Sequence, residues 1–496
     1  MHLSILLWLP LAAAVAGLLL PGALSRATMV VGCAVTLVLA VVLLVKFDAG
    51  ASGLQFVTDE TWIRELGIHY KLGVDGLNIF LILLATVLFL ASAVWAAMVE
   101  WERAKLFFFW FGLAESGVIG ALMAQDLALF VVFFDLMLVP FLFLTGTWGG
   151  PNRVPAIMKL FIYTLVGSLL MLTAAIATGV LSPGGGTTFV LSDLARQRLP
   201  EGSQDWIFLF FAAAFLVKMP AFPLHGWMPD GYRAMPLPVL AVFSGILSKV
   251  AAYGFLRVVL PLYPDASVHF QELMLVIALA SILYGSAMAF TTTNTRLILG
   301  YSSVAQLGFI VLGIFALRPE GAQGAVLQMV NHGLVVAPAF FIVALLGARA
   351  GGSEDLRDMG GLAFRAPVLT TLFLIVTFAV LAMPGTSNFV GEFMILLGVF
   401  KAKIVFAFIA SAGVVMAAVY ALRMFIRAMH NRVGPRATSR EMTVRDGLIL
   451  VPLVVAIIAL SLYPQVALRK SERAVTSAIA PAQQAQDQAA RAEVNP

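Results

Sequence analysis

The chain has 496 residues, 61% of them hydrophobic and 11% charged, with a formal net charge of +5. Soluble domains carry about 25% charged residues, so this chain has too little polar surface to cover a globule in water. We therefore predict an integral membrane protein, and its basic balance indicates cytoplasmic loops and anionic lipid headgroups, not a nucleic-acid partner. The single cysteine, Cys33, excludes an internal disulfide and a cysteine-ligated iron–sulfur cluster.

Apolar runs long enough to cross a bilayer core of about 30 Å recur along the whole chain. We predict about fourteen, at 3–21, 28–46, 76–98, 106–123, 127–147, 157–181, 206–228, 237–259, 272–290, 297–317, 324–348, 368–400, 402–427 and 447–465. The seventh and twelfth are interrupted by proline and glycine. The segment from about 466 onward is polar and rich in Ala and Gln, and it is predicted to be a surface helix or disordered. The predicted fold class is an all-α polytopic membrane protein.

The two interrupted helices resemble each other. FLVKMPAFPLHGWM (215–228) and AVLAMPGTSNFVGEFM (379–394) are both apolar, break at Met-Pro, and carry an ionisable group beside the break. They lie five spans apart, and an odd offset reverses direction through the membrane, which predicts two inverted five-helix repeats of an ion-translocating fold. We expect helices 1–3 in 1–105, the repeats (helices 4–8 and 9–13) in 106–260 and 271–430, helix 14 in 446–465, and a polar tail in 466–496.

The basic residues predict the orientation of the chain. With both termini outside, about sixteen Lys and Arg fall on the cytoplasmic side and about nine outside, leaving out the tail. This bias follows the positive-inside rule, so we expect both termini on the outer side of a bacterial inner membrane.

Ionisable residues inside the predicted spans are the candidate functional groups, because a charge at mid-bilayer costs roughly 2.5 to 3.5 kcal/mol. Lys218 lies about 18 Å into its span. Pro220 and Pro223 open the helix just beyond it, so that water can bind the freed carbonyls. Burial favours the neutral amine of a lysine, so Lys218 is expected to lose and regain a proton. Lys249 lies at similar depth in the next helix. The alternative for Lys218 is that it is a structural lysine permanently paired with a carboxylate.

Two carboxylates and two histidines complete this set. Asp135, in an otherwise apolar run, is the best candidate partner for Lys218, or else a fixed structural counter-ion. Glu392 follows the second break and can load and release a proton, or else make a structural hydrogen bond. His225 and His332 are candidate relays between lysines and carboxylates, although lone buried histidines are more often structural.

Other sites are excluded or ranked lower. Glu115 is a further intramembrane acid, which its neighbour Ser116 could satisfy. No P-loop, no GxGxxG in a βαβ setting and no Cys/His metal constellation occurs in the sequence. We therefore expect no cofactor in this chain, so any redox centres belong to other chains.

Several motifs carry a family resemblance. Eight segments occur in this order along the chain: LGVDGLNIFLILL, FFDLMLVPFLFLTGTWG, KLFIYTLVGSLLMLTA, KMPAFPLHGWMPD, GILSKVAAYGFLR, GYSSVAQLGF, NHGLVVAPAFF and MPGTSNFVGEFMILLG. Together they resemble the antiporter-like membrane subunits of complex I, the proton-pumping NADH–quinone oxidoreductase, over almost the whole chain. The chain is most similar to the member whose last broken helix carries glutamate, as Glu392 does, and which ends soon after its last span.

The resemblance implies a fold and a set of roles. The family has fourteen helices in two inverted five-helix repeats, with helices 7 and 12 broken. Lys218 would be the central pumping lysine, paired with Asp135, and Lys249 and His332 would connect it to Glu392. FMN, iron–sulfur clusters and quinone are expected in partner subunits, and L- and N-type antiporter-like subunits are the expected neighbours. The chain itself would be a non-redox translocase subunit.

Four departures from the family pattern affect the proton route. Asp135 replaces the usual glutamate, and Gln306 replaces a histidine, so that water would have to bridge that point. Arg296 replaces a lysine and, lying at a helix start, suggests an interfacial anchor. Tyr232 stands where a histidine is common. The alternatives are a subunit of a multi-chain Na⁺(K⁺)/H⁺ antiporter, a subunit of a membrane-bound hydrogenase complex, or a non-transporting scaffold.

Overall fold

A computed structural model describes residues 2–51, 53–184 and 186–494. These residues form a helical bundle with one antiparallel hairpin. Within them, eleven helical segments are long and apolar enough to cross a membrane. The predicted all-α polytopic class is therefore confirmed, whereas the count of fourteen spans and the repeat boundaries remain predictions.

The elements of the first half follow the predicted apolar runs, with a hairpin between the second and third. They are α1 (Leu3–Leu19), α2 (Gly22–Lys46), β1 (Gln55–Ile63), β2 (Ile68–Val74), α3 (Ile79–Ala97), α4 (Ala104–Met123), α5 (Leu127–Leu136), α6 (Val139–Trp148), α7 (Arg153–Leu181), α8 (Leu191–Leu194), α9 (Glu201–Lys218), α10 (Met228–Ala234), α11 (Leu237–Val242), α12 (Ser248–Gly254) and α13 (Leu260–Leu262). The π-helical segments Phe243–Leu247 and Phe255–Val259 join α11, α12 and α13 into one continuous helix.

The second half contains longer helices and a second interruption. Its elements are α14 (Pro264–His269), α15 (Gln271–Thr291), α16 (Thr295–Phe315), α17 (Pro319–Arg349), α18 (Pro367–Val380), α19 (Ser387–Ala402), α20 (Ile404–Met429), α21 (Val444–Leu462) and α22 (Gln465–Val494). α16 is fully buried and the helix formed by 237–262 is almost entirely buried, whereas α7 and α20 are each about one-third buried. The core of the bundle therefore runs along 237–262 and α16.

Both predicted interruptions are present, and a third was not predicted. The helix is broken between Lys218 and Met228 and again between Val380 and Ser387. The run predicted as one span at 127–147 also divides, because α5 ends at Leu136 and α6 begins at Val139. Pro140 accounts for the restart, since proline lacks a backbone N–H and fits the first turn of a helix.

The hairpin and the C-terminal segment add two features to the sequence-based description. The β1–β2 hairpin was not predicted, because its outward-facing first strand is polar and exposed. The tail forms the single helix α22, so the surface-helix alternative is correct and disorder is wrong. Its buried face includes Val475, Ile479 and Ala482, and it packs against α13, α14 and α17.

Candidate functional site

The first site lies where α9 ends. Pro220 cannot donate to the carbonyl of Leu216, which accepts from Ala221 N at 2.9 Å. The next carbonyl, Val217 O, accepts from Trp227 Nε1 at 2.9 Å. The sequence predicts water at the freed carbonyls, but at Val217 O the indole N–H of Trp227 is the donor. The break is thus stabilised by the protein itself, and α9 ends with its lysine facing α5.

The predicted pair of Lys218 and Asp135 is formed at this break. Lys218 Nζ lies 3.5 Å from Asp135 Oδ1, and Ser168 Oγ donates to the same oxygen at 2.5 Å. The lysine also donates to Phe134 O at 2.5 Å and lies 3.8 Å from the centroid of the Phe134 ring. Its side chain is 4% exposed, whereas that of Asp135 is 36% exposed. The carboxylate therefore lies at the edge of the bundle and the lysine inside it.

Lys249 occupies the helix between the two π-helical segments. It is fully buried, and its Nζ donates to Ser244 O at 2.5 Å. In the described part of the chain no carboxylate lies within 4.0 Å of it. Single π turns often occur at functional sites because they widen the helix and change its hydrogen bonds. Among the described residues, the Nζ of Lys249 is therefore held by a backbone carbonyl and not by a carboxylate.

A polar path continues from Ser244 to the second break. Ser244 Oγ is 3.4 Å from Ser303 Oγ on α16. Three residues further along α16, Gln306 Nε2 donates to Glu392 Oε1 at 2.6 Å. Gln306 Oε1 in turn accepts from Gln328 Nε2 on α17 at 2.8 Å. Gln306 therefore bridges directly to Glu392, and the water predicted at this point is not needed for that contact.

The two histidines differ in their surroundings. His332 is 4% exposed and lies one turn beyond Gln328 on α17, on the helix that contributes to the polar path. α17 can approach the π-helical segment closely because Gly333 has no side chain: a Cβ there would overlap Gly245 O. His225, 8% exposed, lies in the first break among aromatic rings, 4.7 Å from that of Tyr284.

Glu115 lies apart from this path. Its Oε2 accepts from Cys33 Sγ on α2 at 3.0 Å. Ser116 does not donate to it: Glu115 Oε1 has no hydrogen-bond partner among the described residues, and Ser116 Oγ accepts from Leu11 N at 3.1 Å. The expectation that Ser116 would be its partner is wrong: adjacent helical residues point in different directions, so a serine next in sequence faces another helix.

Arg296 and Tyr232 connect the two halves of the bundle. Arg296 binds Glu354 through Nε and Nη2, at 3.1 and 2.5 Å from Oε1, and donates to Met235 O at 2.7 Å. Its side chain is 10% exposed, so protein groups hold it at the start of α16, and its position at the membrane interface stays a prediction. Tyr232 is buried and packs edge-on against Phe243.

The sequence did not single out four polar groups of this site: Ser168, Ser244, Ser303 and Gln328. Each is a short or neutral residue in an apolar helix, where serine commonly bonds its own backbone. Helical spacing was the only available signal, since Ser303 and Gln306 are three apart and Gln328 and His332 four apart. Among the described residues no group of three or more His, Cys, Asp or Glu could hold a metal ion.

Comparison with known proteins identifies the family. Residues 124–419 match the family described as "NADH:quinone oxidoreductase/Mrp antiporter, TM". NADH-quinone oxidoreductase subunit M of Rhodobacter capsulatus is 36% identical over 483 residues, which cover 93% of each chain. The chain belongs to this family. The resemblance to antiporter-like subunits, and among them to subunit M, is thus confirmed.

Solved structures of the family have the same architecture. A chain of respiratory complex I from Thermus thermophilus with bound NADH matches with a TM-score of 0.89 and 30% identity, covering 96% of this chain and 99% of that one. A chain of the Mrp complex from Dietzia sp. DQ12-45-1b matches with a TM-score of 0.85 and 21% identity, covering 98% and 99%. The second match shows the fold alone.

Proposed function

We propose that this chain is a proton-translocating membrane-arm subunit of an NADH-quinone oxidoreductase (complex I), of the subunit M (chain 4) type. The observation that carries the proposal is the Lys218–Asp135 pair beside the first helix break. We propose that the proton route runs from this pair through Lys249, whose Nζ donates to Ser244 O, and through Gln306, whose Nε2 donates to Glu392 Oε1. Along this route we assign proton translocation to six residues: Lys218, Asp135, Lys249, Glu392, His332 and His225.

The proton moves by changes of partner. In the arrangement that the structure has, the Lys218 ammonium is stabilised by Asp135 and by Phe134 O. When charge from a neighbouring subunit draws Asp135 away, the ammonium loses its counter-ion and releases a proton along the path, leaving a neutral amine. Glu392 takes up a proton at the far end and releases it, and a new proton then restores the ammonium. A tenfold change in the proton affinity of the lysine corresponds to about 1.4 kcal/mol, so modest rearrangements of the pair suffice.

The energy for this cycle comes from other chains. We infer that this chain is a non-redox subunit of the translocase, with FMN, iron–sulfur clusters and quinone in partner subunits. Its neighbours would be the L- and N-type antiporter-like subunits, and the exposed side of Asp135 is a suitable contact with one of them. We further propose that both termini face the outside of the bacterial inner membrane, and that 106–260 and 271–430 are the inverted repeats.

An antiporter subunit is the second candidate, because the Mrp chain has the same fold. The sequence identity favours complex I, with 36% for the Rhodobacter capsulatus relative and 30% for the Thermus thermophilus chain against 21% for the Mrp chain. Mass spectrometry of the gently extracted complex distinguishes them. Flavin- and iron–sulfur-bearing subunits in the preparation support complex I, whereas antiporter subunits alone, or a nickel hydrogenase, contradict it.

Substitution of the central lysine tests the mechanism. Lys218→Met, in an otherwise complete complex reconstituted in vesicles, should reduce proton translocation driven by NADH by about tenfold or more, since coupling of about 1 to 3 kcal/mol corresponds to roughly 5- to 150-fold. Lys159→Met is the matched control: its side chain is 42% exposed and pairs with Asp230 at 2.8 Å. The control should pump normally. Equal pumping by the Lys218 variant and the wild type would show that the mechanism is wrong.

A further inference from the structure

A cavity of about 420 Å³ lies at one end of the bundle, away from the polar path. Five parts of the chain line it: the segment between α2 and β1, the hairpin with the turn into α3, Gln125 with α8, the end of the 237–262 helix, and α22. Its charged lining residues are Lys71, Asp75, Arg257, Lys470 and Arg473, and leucine and alanine side chains form most of the rest. The cavity therefore combines a basic wall with an apolar floor.

Two of the four cations are neutralised by carboxylates. Arg257 Nη2 lies 2.6 Å from Asp75 Oδ1, and Arg257 Nε donates to Tyr253 Oη at 2.8 Å. Lys71 Nζ lies 2.8 Å from Asp59 Oδ2 on the facing strand. These pairs fix the side of the cavity formed by the hairpin and the 237–262 helix. They contribute little net charge to it.

The other two cations have only neutral partners. Lys470 and Arg473 are three apart on α22, so they project from the same face of that helix. Lys470 Nζ donates to Phe47 O at 2.9 Å, and Arg473 Nη1 donates to Gly50 O. Among the described residues no carboxylate lies within 4.0 Å of either. The cavity thus holds two uncompensated positive charges, with ammonium and guanidinium N–H groups remaining free to donate.

Gly76, at the turn into α3, allows the part of α22 that carries these two cations to pack close to the cavity. A Cβ on Gly76 would overlap Lys470 O and lie 2.8 Å from Ser471 Cα. α22 therefore packs directly on the turn that carries Asp75. A ligand held here would connect the hairpin, the 237–262 helix and α22.

We propose that this cavity binds the phosphate-bearing headgroup of an anionic phospholipid. Arginine and lysine are the side chains that bind phosphate oxygens best, through charge-assisted hydrogen bonds. A lipid fits better than a free phosphate ion because the floor is apolar and the amphipathic helix α22 forms one wall. The proposal does not depend on the direction or driving force of proton movement.

Lipid binding by the purified complex provides the test. The delipidated complex is titrated with phosphatidylglycerol in neutral-lipid nanodiscs, and retained lipid is counted by native mass spectrometry. Lys470→Ala with Arg473→Ala should weaken phosphatidylglycerol binding at least about fivefold, because both free cations are removed. Arg469→Ala with Arg491→Ala is the matched control, since it removes the same charge from exposed positions of the same helix.

A parallel titration with inorganic phosphate distinguishes the two sources of the anion. Phosphatidylglycerol binding that is lost in the double variant and retained in the control supports the proposal. Inorganic phosphate binding that depends on these residues, without lipid binding, overturns the lipid assignment. Equal binding by the double variant and the control overturns the site. If the double variant fails to assemble, Lys470→Gln alone and the charge-preserving Lys470→Arg give the same comparison.

Discussion

The two helix breaks are built from similar sequences but handle charge differently. At the first, a buried cation faces a carboxylate that is 36% exposed at the bundle edge. At the second, the carboxylate of Glu392 is 3% exposed and its hydrogen-bond partner is the neutral amide of Gln306. Under the proposed function, the first break would respond to charge outside the chain, whereas the buried second break would exchange protons along the internal path.

The two breaks also differ in what stabilises their backbones. The first is closed by side-chain contacts, with Trp227 Nε1 donating to Val217 O. The second turns through Ala382 and Gly385, both at positive φ, and Gly385 O accepts from Ser461 Oγ at 2.6 Å. Positive φ favours glycine because it has no Cβ, so Gly385 shapes this turn. The first break is held by the bundle, and the second by its own backbone and by α21.

The largest difference should appear when the counter-ion of the first break is removed. Asp135→Asn leaves the Lys218 ammonium with only Phe134 O, so we expect proton translocation to fall about tenfold or more. Breaking a buried pair costs about 3 to 5 kcal/mol, but Asp135 is partly exposed, so the stability loss should be nearer to about 1 to 2 kcal/mol. Pumping in vesicles and thermal unfolding of the complex measure the two effects.

Asp135→Glu is the matched variant for this prediction. It restores the longer carboxylate typical of the family and keeps the charge, so most of the pumping should remain. Full activity in Asp135→Asn would mean that Lys218 needs no counter-ion there, and the proposed contrast between the breaks would fail.

An intermediate effect is expected at the neutral bridge of the second break. Gln306→Leu leaves the buried Glu392 oxygen and the Gln328 amide without their partner, which should destabilise the protein by about 1 to 3 kcal/mol. Gln306→His keeps a donor and an acceptor and should retain stability and pumping. Thermal unfolding of the two variants in detergent checks the difference. Equal stability of both would show that the bridge is replaceable by any side chain of that size.

The smallest effect concerns the loop that follows α17. The Arg357 side chain hydrogen bonds to Asp355 and holds the pKa of that carboxyl at about 2, below its ordinary value of 3.8. The folded loop therefore binds fewer protons than the unfolded one between these values. Its contribution to stability is fully present above about pH 4 and is lost as the pH falls through about 2.

Pepsin cleavage within 351–361 measures this loss, normalised to a peptide standard at each pH. Cleavage should rise between about pH 4 and about pH 2 in the wild type. Asp355→Asn, which cannot titrate, should be cleaved readily at both values. A wild-type cleavage rate that does not change between about pH 4 and about pH 2 would contradict the prediction. It would mean that acid does not loosen the loop at the end of α17, the helix that carries Gln328 and His332.

The amino-acid sequence was sufficient to predict the class, the two Met-Pro breaks and the principal ionisable residues. Composition and apolar run length are properties of the chain alone, and a charge in an apolar span is costly enough to mark a site. The same reasoning correctly paired Lys218 with Asp135, because a buried lysine needs a nearby counter-charge.

Packing between distant helices, in contrast, determines which neutral groups complete the path. Ser244, Ser303 and Gln328 gain their roles from helices that are far apart in sequence and close in the bundle, as Gly333 shows where it contacts Gly245. The partner of Glu115, the burial of Arg296 and the contact of α22 with Gly76 depend on packing in the same way. The direction of a side chain depends on which helices are neighbours, and the period of a single helix carries no such information.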